Sequence, residues 1–124
     1  MKVLLLGINA RFTHPNLALY YLRQQINPKK HKSIILEKTI NDHIWDIITE
    51  INEINPDVLC LSAYTWNQSH IQAILQDIKK VLPDLKIVCG GPDISWNPEI
   101  WLEKFPSIDF IIQGAAERAF NILR

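Results

Sequence analysis

Five short, almost wholly apolar runs recur along this chain, and each is separated from the next by a stretch whose apolar residues fall every three or four positions. The runs are Lys2 to Gly7 (KVLLLG), Lys32 to Lys38 around Ile34-Ile35-Leu36, Val58 to Ser62 (VLCLS), Lys86 to Cys89 (KIVC) and Asp109 to Gln113 (DFIIQ). Runs this short and continuous belong to strands covered on both faces, since a strand with one wet face alternates apolar with polar residues. Between them, Asn16 to Ile26 sets Ala18, Leu19, Leu22 and Ile26 on one helical side, and Asp42 to Asn55 does the same with Ile44, Ile47, Ile48, Ile51 and Ile54. Ser69 to Leu82 repeats the stripe with Ile71, Ile74, Leu75, Ile78 and Leu82. Asn27-Pro28 and Asn55-Pro56 stop the first two helices. A short helix is predicted over about Pro98 to Phe105, and a last one from near Ala116.

Alternation of this kind implies right-handed crossovers and a parallel sheet with helices on both faces. The expected class is α/β, a flavodoxin-like, Rossmann-type three-layer fold with five parallel strands in the order 2-1-3-4-5. At 124 residues, 48% apolar and 21% charged, the chain suits one domain spanning residues 1–124. Thirteen basic residues balance thirteen acidic ones, so no net charge argues for a nucleic acid or an anionic membrane, and neither is expected as a partner. No apolar run approaches the roughly 18 residues of a membrane span, and Met1 to Leu6 is too short for a signal peptide core, so a cytoplasmic location is expected. Cys60 and Cys89 lie inside strand-like runs and read as buried, reduced thiols.

Ligands of such a fold bind outside the carboxyl ends of the strands, at the switch point between strands one and three. The segment from Ile8 to Pro15 lacks the glycine-rich turn that brings a pyrophosphate to a helix terminus, and Arg11 and Phe12 are too bulky for the converging amides of a flavin phosphate loop. A magnesium-dependent phosphoacceptor needs carboxylates where this chain has Asn9 and Ser62. No catalytic acid, base or nucleophile stands out, and no histidines, cysteines or carboxylates have metal-site spacing. The strand-end loops offer amides, hydroxyls, rings and a cation instead: Asn9, Arg11 and His14, then Tyr64, Trp66 and Asn67, then Trp96 and Asn97. Such a set suits a broad, flat ligand, and Gly90-Gly91 would let an arm of it approach the backbone. Singly, a loop Tyr or Trp is as often a cap on the core, and Gly90-Gly91 also serves as a strand-ending turn. It is their joint placement on one face that singles them out.

Taken in order, NARFTHPNLALYYL, SAYTWN, CGGPDIS and QGAAERAF resemble the loops of the cobalamin-binding domain that precedes the radical-SAM domain in a large group of bacterial enzymes, among them the magnesium-protoporphyrin monomethyl ester cyclase-like proteins. The resemblance covers nearly the whole chain. It implies cobalamin as cofactor, with Asn9, Arg11, Thr13 and His14 near the lower face of the corrin and Ser62, Tyr64, Trp66 and Asn67 at the ring edge or tail. Gly90, Gly91 and Pro92 would admit the nucleotide arm. Where family members often carry Gly-Glu-Gly-Glu, this chain has Gly114-Ala115-Ala116-Glu117, so Gly114 and Glu117 carry over. Methionine-synthase-like domains orient a cobalt-binding histidine with an aspartate and a glycine; around His14 those positions hold Phe12 and Leu17. Without a carboxylate to hold it the imidazole is a poorer ligand, and His14 is expected not to coordinate cobalt.

No Cys-x-x-x-Cys-x-x-Cys motif is present, so S-adenosylmethionine and a 4Fe-4S cluster would belong to a part of the parent protein outside this sequence. The chain is expected to be a fragment of a longer protein, its partner the C-terminal radical-SAM domain of the same polypeptide. The competing expectation is a cofactor-free interaction domain of the same fold. In either case Trp66, Trp96 and Trp101 are expected to lie exposed, as the surface that meets a neighbouring domain.

Overall fold

The computed structural model describes residues 1–11, 17–91, 94 and 97–112. In it the apolar runs become β1 (Lys2–Asn9), β2 (Lys32–Thr39), β3 (Val58–Ser62), β4 (Lys86–Gly90) and β5 (Phe110–Ile111), all parallel and in the order β2-β1-β3-β4-β5. The expected order is the observed one. β1 is central because each of its faces can be covered: Leu4, Leu6 and Ile8 point to one layer, Val3 and Leu5 to the other, and all are buried. Its pairing with β2 runs unbroken from Lys2 opposite Lys32 to Asn9 opposite Thr39. That register carries β1 two residues past Gly7 and makes Asn9 the last residue of a strand rather than part of a loop.

The helices are α1 (Leu17–Gln25), α2 (Ile44–Ile54), α3 (Gln68–Val81) and α4 (Pro98–Lys104). Both long stripes bury as their spacing dictates, with Ile47, Ile48 and Ile51 from α2 and Ile71, Ile74, Leu75 and Ile78 from α3. Each of these side chains contributes about 1.5–3 kcal/mol on leaving water. His43 caps α2, its Nδ1 accepting from Trp45 N at 3.2 Å, and Asn55 ends the helix in the left-handed region at φ 52°, its N–H donating to Ile51 O. α4 joins the same layer through Trp101 and Phe105, four residues and one turn apart, with ring centroids 5.5 Å from each other. α1 packs on the opposite face, held by Leu19 and Ile26 with Leu22 half-buried. The last helix, expected from near Ala116, lies outside the described residues.

The strand at the far edge, expected over Asp109 to Gln113, starts one residue later, and Gln113 lies outside the described residues. β5 begins at Phe110 because the carboxylate of Asp109 takes over part of the ladder: Asp109 Oδ2 accepts from Ile87 N at 2.8 Å and from Lys79 Nζ at 2.9 Å, while Asp109 N donates to Ile87 O. Burial alone would raise the Asp109 pKa. The hydrogen bonds from Lys79 and Ile87 N, with the charges of Lys79 and Lys86, outweigh that and hold it below the ordinary carboxylate value. No helix among the described residues is long and apolar enough to cross a membrane.

Candidate functional site

The switch point between β1 and β3 is sewn together by one residue. Asn67 is 1% exposed, and its amide is fully committed: Oδ1 accepts from Tyr64 N at 2.8 Å, while Nδ2 donates to Ile8 O at 3.0 Å and Ser62 O at 3.1 Å. A buried amide with every group paired fixes its surroundings firmly, since losing any partner would strand a polar group. Ile8 O accepts a second bond, from Trp66 Nε1 at 3.3 Å. The loop after β3 is therefore pinned to the end of β1 by two donors on one carbonyl.

That pinning sets out a flat surface. Tyr64 and Trp66 stack with centroids 4.6 Å apart and planes 5° from parallel, and Trp66 remains 48% exposed. Its expected exposure is what the structure has. Trp101, expected exposed, is instead 6% exposed and packs in the core against Phe105, the Trp-x-x-x-Phe spacing having signalled an inward helical face. Trp96 lies outside the described residues.

The other end of the site rests on the paired glycines, which differ in kind. Gly91 has φ +100°, and a Cβ there would stand 2.4 Å from Ala63 O and 2.7 Å from Ala63 N, so the fold itself demands glycine. At Gly90 a Cβ would meet only Ile112, at an ordinary 3.5 Å. Beneath these two glycines a groove of about 50 Å³ runs between sheet and α1, lined by Leu19, Leu22, Cys60, Val88 and both glycines. A Cβ on Gly90, placed against Ile112, would stand in it. Burial pushes the Cys60 thiol up to about 12, so in this groove it is a neutral, unreactive group.

At the β2 side, Asn9 Nδ2 and Tyr20 OH both donate to Glu37, at 3.2 Å to Oε1 and Oε2 respectively. The hydrogen bond to Glu37 and its charge raise the Tyr20 pKa. Sequence reasoning singled out Asn9 and missed both partners; the available signal was a glutamate at the carboxyl end of an otherwise apolar strand. It also missed Trp45, 57% exposed in the first turn of α2. Arg11 is exposed just past β1. Thr13, His14, Pro92, Gly114 and Glu117 lie outside the described residues. The structure thus brings Asn9, Ser62, Tyr64, Trp66, Asn67, Gly90 and Gly91 to one edge of the sheet, the edge where the strands end. Among the described residues no group of three His, Cys, Asp or Glu could hold a metal ion.

A parallel 2-1-3-4-5 sheet with an aromatic ledge and a glycine-floored groove at its switch point defines a flavodoxin-like ligand-binding domain. Residues 3–124 match the B12 binding domain family, and the chain belongs to that family, whose cofactor is cobalamin. Over 70 residues, 56% of this chain, it is 36% identical to the cobalamin-dependent radical SAM methyltransferase TokK of Streptomyces tokunonensis, covering 10% of that protein. It is 27% identical over 112 residues, 90% of the chain, to an uncharacterized methyltransferase of Pyrococcus horikoshii, covering 24% of it. Among solved structures, the fold matches the cobalamin-dependent S-adenosylmethionine radical enzyme OxsB, with aqua-cobalamin and S-adenosylmethionine bound. There the TM-score is 0.77 at 24% identity, over 98% of this chain and 18% of that one. A cobalamin-binding protein from Desulfitobacterium hafniense matches at TM-score 0.72 and 17% identity, over 98% of this chain and 56% of that one. The chain thus spans between a tenth and a quarter of the length of these methyltransferases.

Proposed function

We propose that this domain holds cobalamin at the carboxyl edge of its sheet and presents it to the C-terminal radical-SAM domain of a longer polypeptide, for methyl transfer. Gly90 is the observation that carries this reading. A Cβ there would meet Ile112 at an ordinary distance, so the backbone does not demand glycine at 90, and the missing side chain keeps the groove open. Gly90 and Gly91, with Ser62 beside them, would admit the nucleotide arm, and the Tyr64–Trp66 pair would meet the edge of the corrin. Asn67, its amide spent on Tyr64, Ile8 and Ser62, serves by holding that ledge in place. Asn9 with Glu37, Arg11, Thr13 and His14 would lie toward the lower face, and Pro92, Gly114 and Glu117 complete the set that the family pattern implies. When bound, cobalamin supplies a cobalt centre that carries and gives up a one-carbon group. S-adenosylmethionine and the 4Fe-4S cluster would belong to the partner domain, since this sequence lacks the three-cysteine motif. The free, buried thiols of Cys60 and Cys89 suit a reducing, cytoplasmic location.

At about 50 Å³ the groove has room for little more than a water molecule or two, so seating a nucleotide base requires α1 to move outward. The test is incubation with hydroxocobalamin, desalting and absorbance, on the wild type and on Gly90→Val. Corrin absorbance retained by the wild type and lost by the variant, with far-ultraviolet circular dichroism unchanged, is the expected result. Absence of corrin from both would favour a cofactor-free interaction domain of the same fold.

A further inference from the structure

The end of the molecule opposite the proposed cofactor edge carries a second feature, concealed by the zero net charge. Between Arg23 and Ser33 the chain reads RQQINPKKHKS, with four Lys or Arg, one His and no acidic residue, leaving nine basic against thirteen acidic residues elsewhere. The fold gathers these cations instead of dispersing them. A trough of about 790 Å³ opens to solvent between the carboxyl half of α1 and the start of β2, lined by Arg23 and Gln24 from the helix, Lys29, Lys30 and His31 from the turn, and Lys32 from the strand. Ile26 and Pro28 supply apolar surface within it, and Tyr20 also lines it, its hydroxyl donating to Glu37. The turn is preorganised: Asn27 Oδ1 accepts from Lys29 N at 2.9 Å, and Asn27 O accepts from both Lys30 N and His31 N. Lys29, Lys30 and His31 are therefore held in one backbone conformation along the trough.

We propose that this trough is a docking site for an acidic, extended polypeptide segment, separate from the cofactor edge. Three features select that partner chemistry. The trough is open to solvent, whereas sites for small metabolites enclose most of their ligand. Three of its cations are lysines, compact point charges on flexible stems that accommodate carboxylates at varied spacing, against a single guanidinium at Arg23, and the amides of Lys29, Lys30 and His31 are spent on Asn27 rather than turned to an anion. The apolar floor at Ile26 and Pro28 gives an alternating acidic and apolar segment something to bury. The trough's lysines lie where β2 begins and the proposed cofactor edge lies where the strands end, so removing those lysines leaves the residues proposed for the cofactor unchanged.

The experiment uses the whole chain and a fluorescein-labelled twelve-residue peptide of alternating Glu and Leu, read by fluorescence anisotropy at 50 mM and 500 mM salt. The expected result is saturable binding at low salt, weakened at least tenfold at high salt and at least tenfold by Lys29→Gln/Lys30→Gln/Lys32→Gln. Lys80→Gln, which changes an exposed lysine on α3, is the control and should leave the affinity unchanged. The triple variant should keep its melting temperature and whatever hydroxocobalamin the wild type retains, which separates this site from the proposed cofactor site. Equal binding by the wild type and the triple variant overturns the proposal. So does inorganic tripolyphosphate binding more tightly than the peptide and displacing it, since that would make the trough a phosphate site.

Discussion

At Gly91 the backbone at φ +100° brings the end of β4 against Ala63 so closely that a methyl group would overlap a carbonyl oxygen. Gly91→Ala should cost more than about 2 kcal/mol, through a strained backbone and a displaced β3 loop. Gly90→Ala should change stability by less than about 1 kcal/mol while weakening cobalamin binding, because its methyl stands in the groove. Urea unfolding of both variants, beside cobalamin titration of the second, checks the pair. A loss of stability at Gly90 equal to that at Gly91 would remove the reason for assigning Gly90 to the ligand. Asn67→Ala leaves Tyr64 N, Ile8 O and Ser62 O short of a partner and should cost about 1–3 kcal/mol with or without cofactor. At His14, loss of the imidazole in His14→Ala should leave the cobalt electron-paramagnetic-resonance spectrum of the cobalamin-loaded parent protein unchanged. A nitrogen hyperfine pattern that vanished in the variant would instead identify His14 as a cobalt ligand. Asn67 and Gly91 also mark how far single residues were legible. Both stood out as loop residues of unusual type, but that one is spent on three backbone groups and the other on Ala63 depends on the packing of two strand ends, which no local pattern encodes.

For the elements, legibility followed burial. β1 and β3 are covered on both faces, so their interiors, Val3 to Ile8 and Val58 to Leu61, carry no polar side chain and their positions follow from that run. The ends were less legible where side chains replace backbone. Asp109 accepts the Ile87 N–H that a β5 starting earlier would have paired in its ladder, so the strand begins only at Phe110. This contact has a pH signature. Because the folded-state pKa of Asp109 lies below its ordinary value, its stabilisation is complete above the pKa of an unfolded aspartate and is lost as pH falls through the lower, folded value. Denaturant unfolding from pH 7 downward should show the wild type more stable than Asp109→Asn at neutral pH, with the gap narrowing below about pH 4. A gap of constant size across that range would mean the Lys79 pair contributes nothing.

On the scale of the whole molecule, the sheet divides the interior into two layers, and each layer contains one thiol. Cys60 lies with Leu19 and Ile26 under α1, and Cys89 lies with the side chains of α2, α3 and α4. Both are buried and free, with pKa values raised by burial, Cys89 also by the charge of Cys60 and of Asp109. Neither reacts until its own layer parts, so the pair acts as two stopwatches started by the same reagent. If α1 lifts as a unit to admit a ligand, a water-soluble maleimide should reach Cys60 well before Cys89, and added hydroxocobalamin should slow the first clock while leaving the second unaltered. Mass spectrometry of timed samples reads both clocks at once. Were the two to run together with and without cobalamin, the layers would be opening only through global unfolding, and the domain would have no hinged face at all.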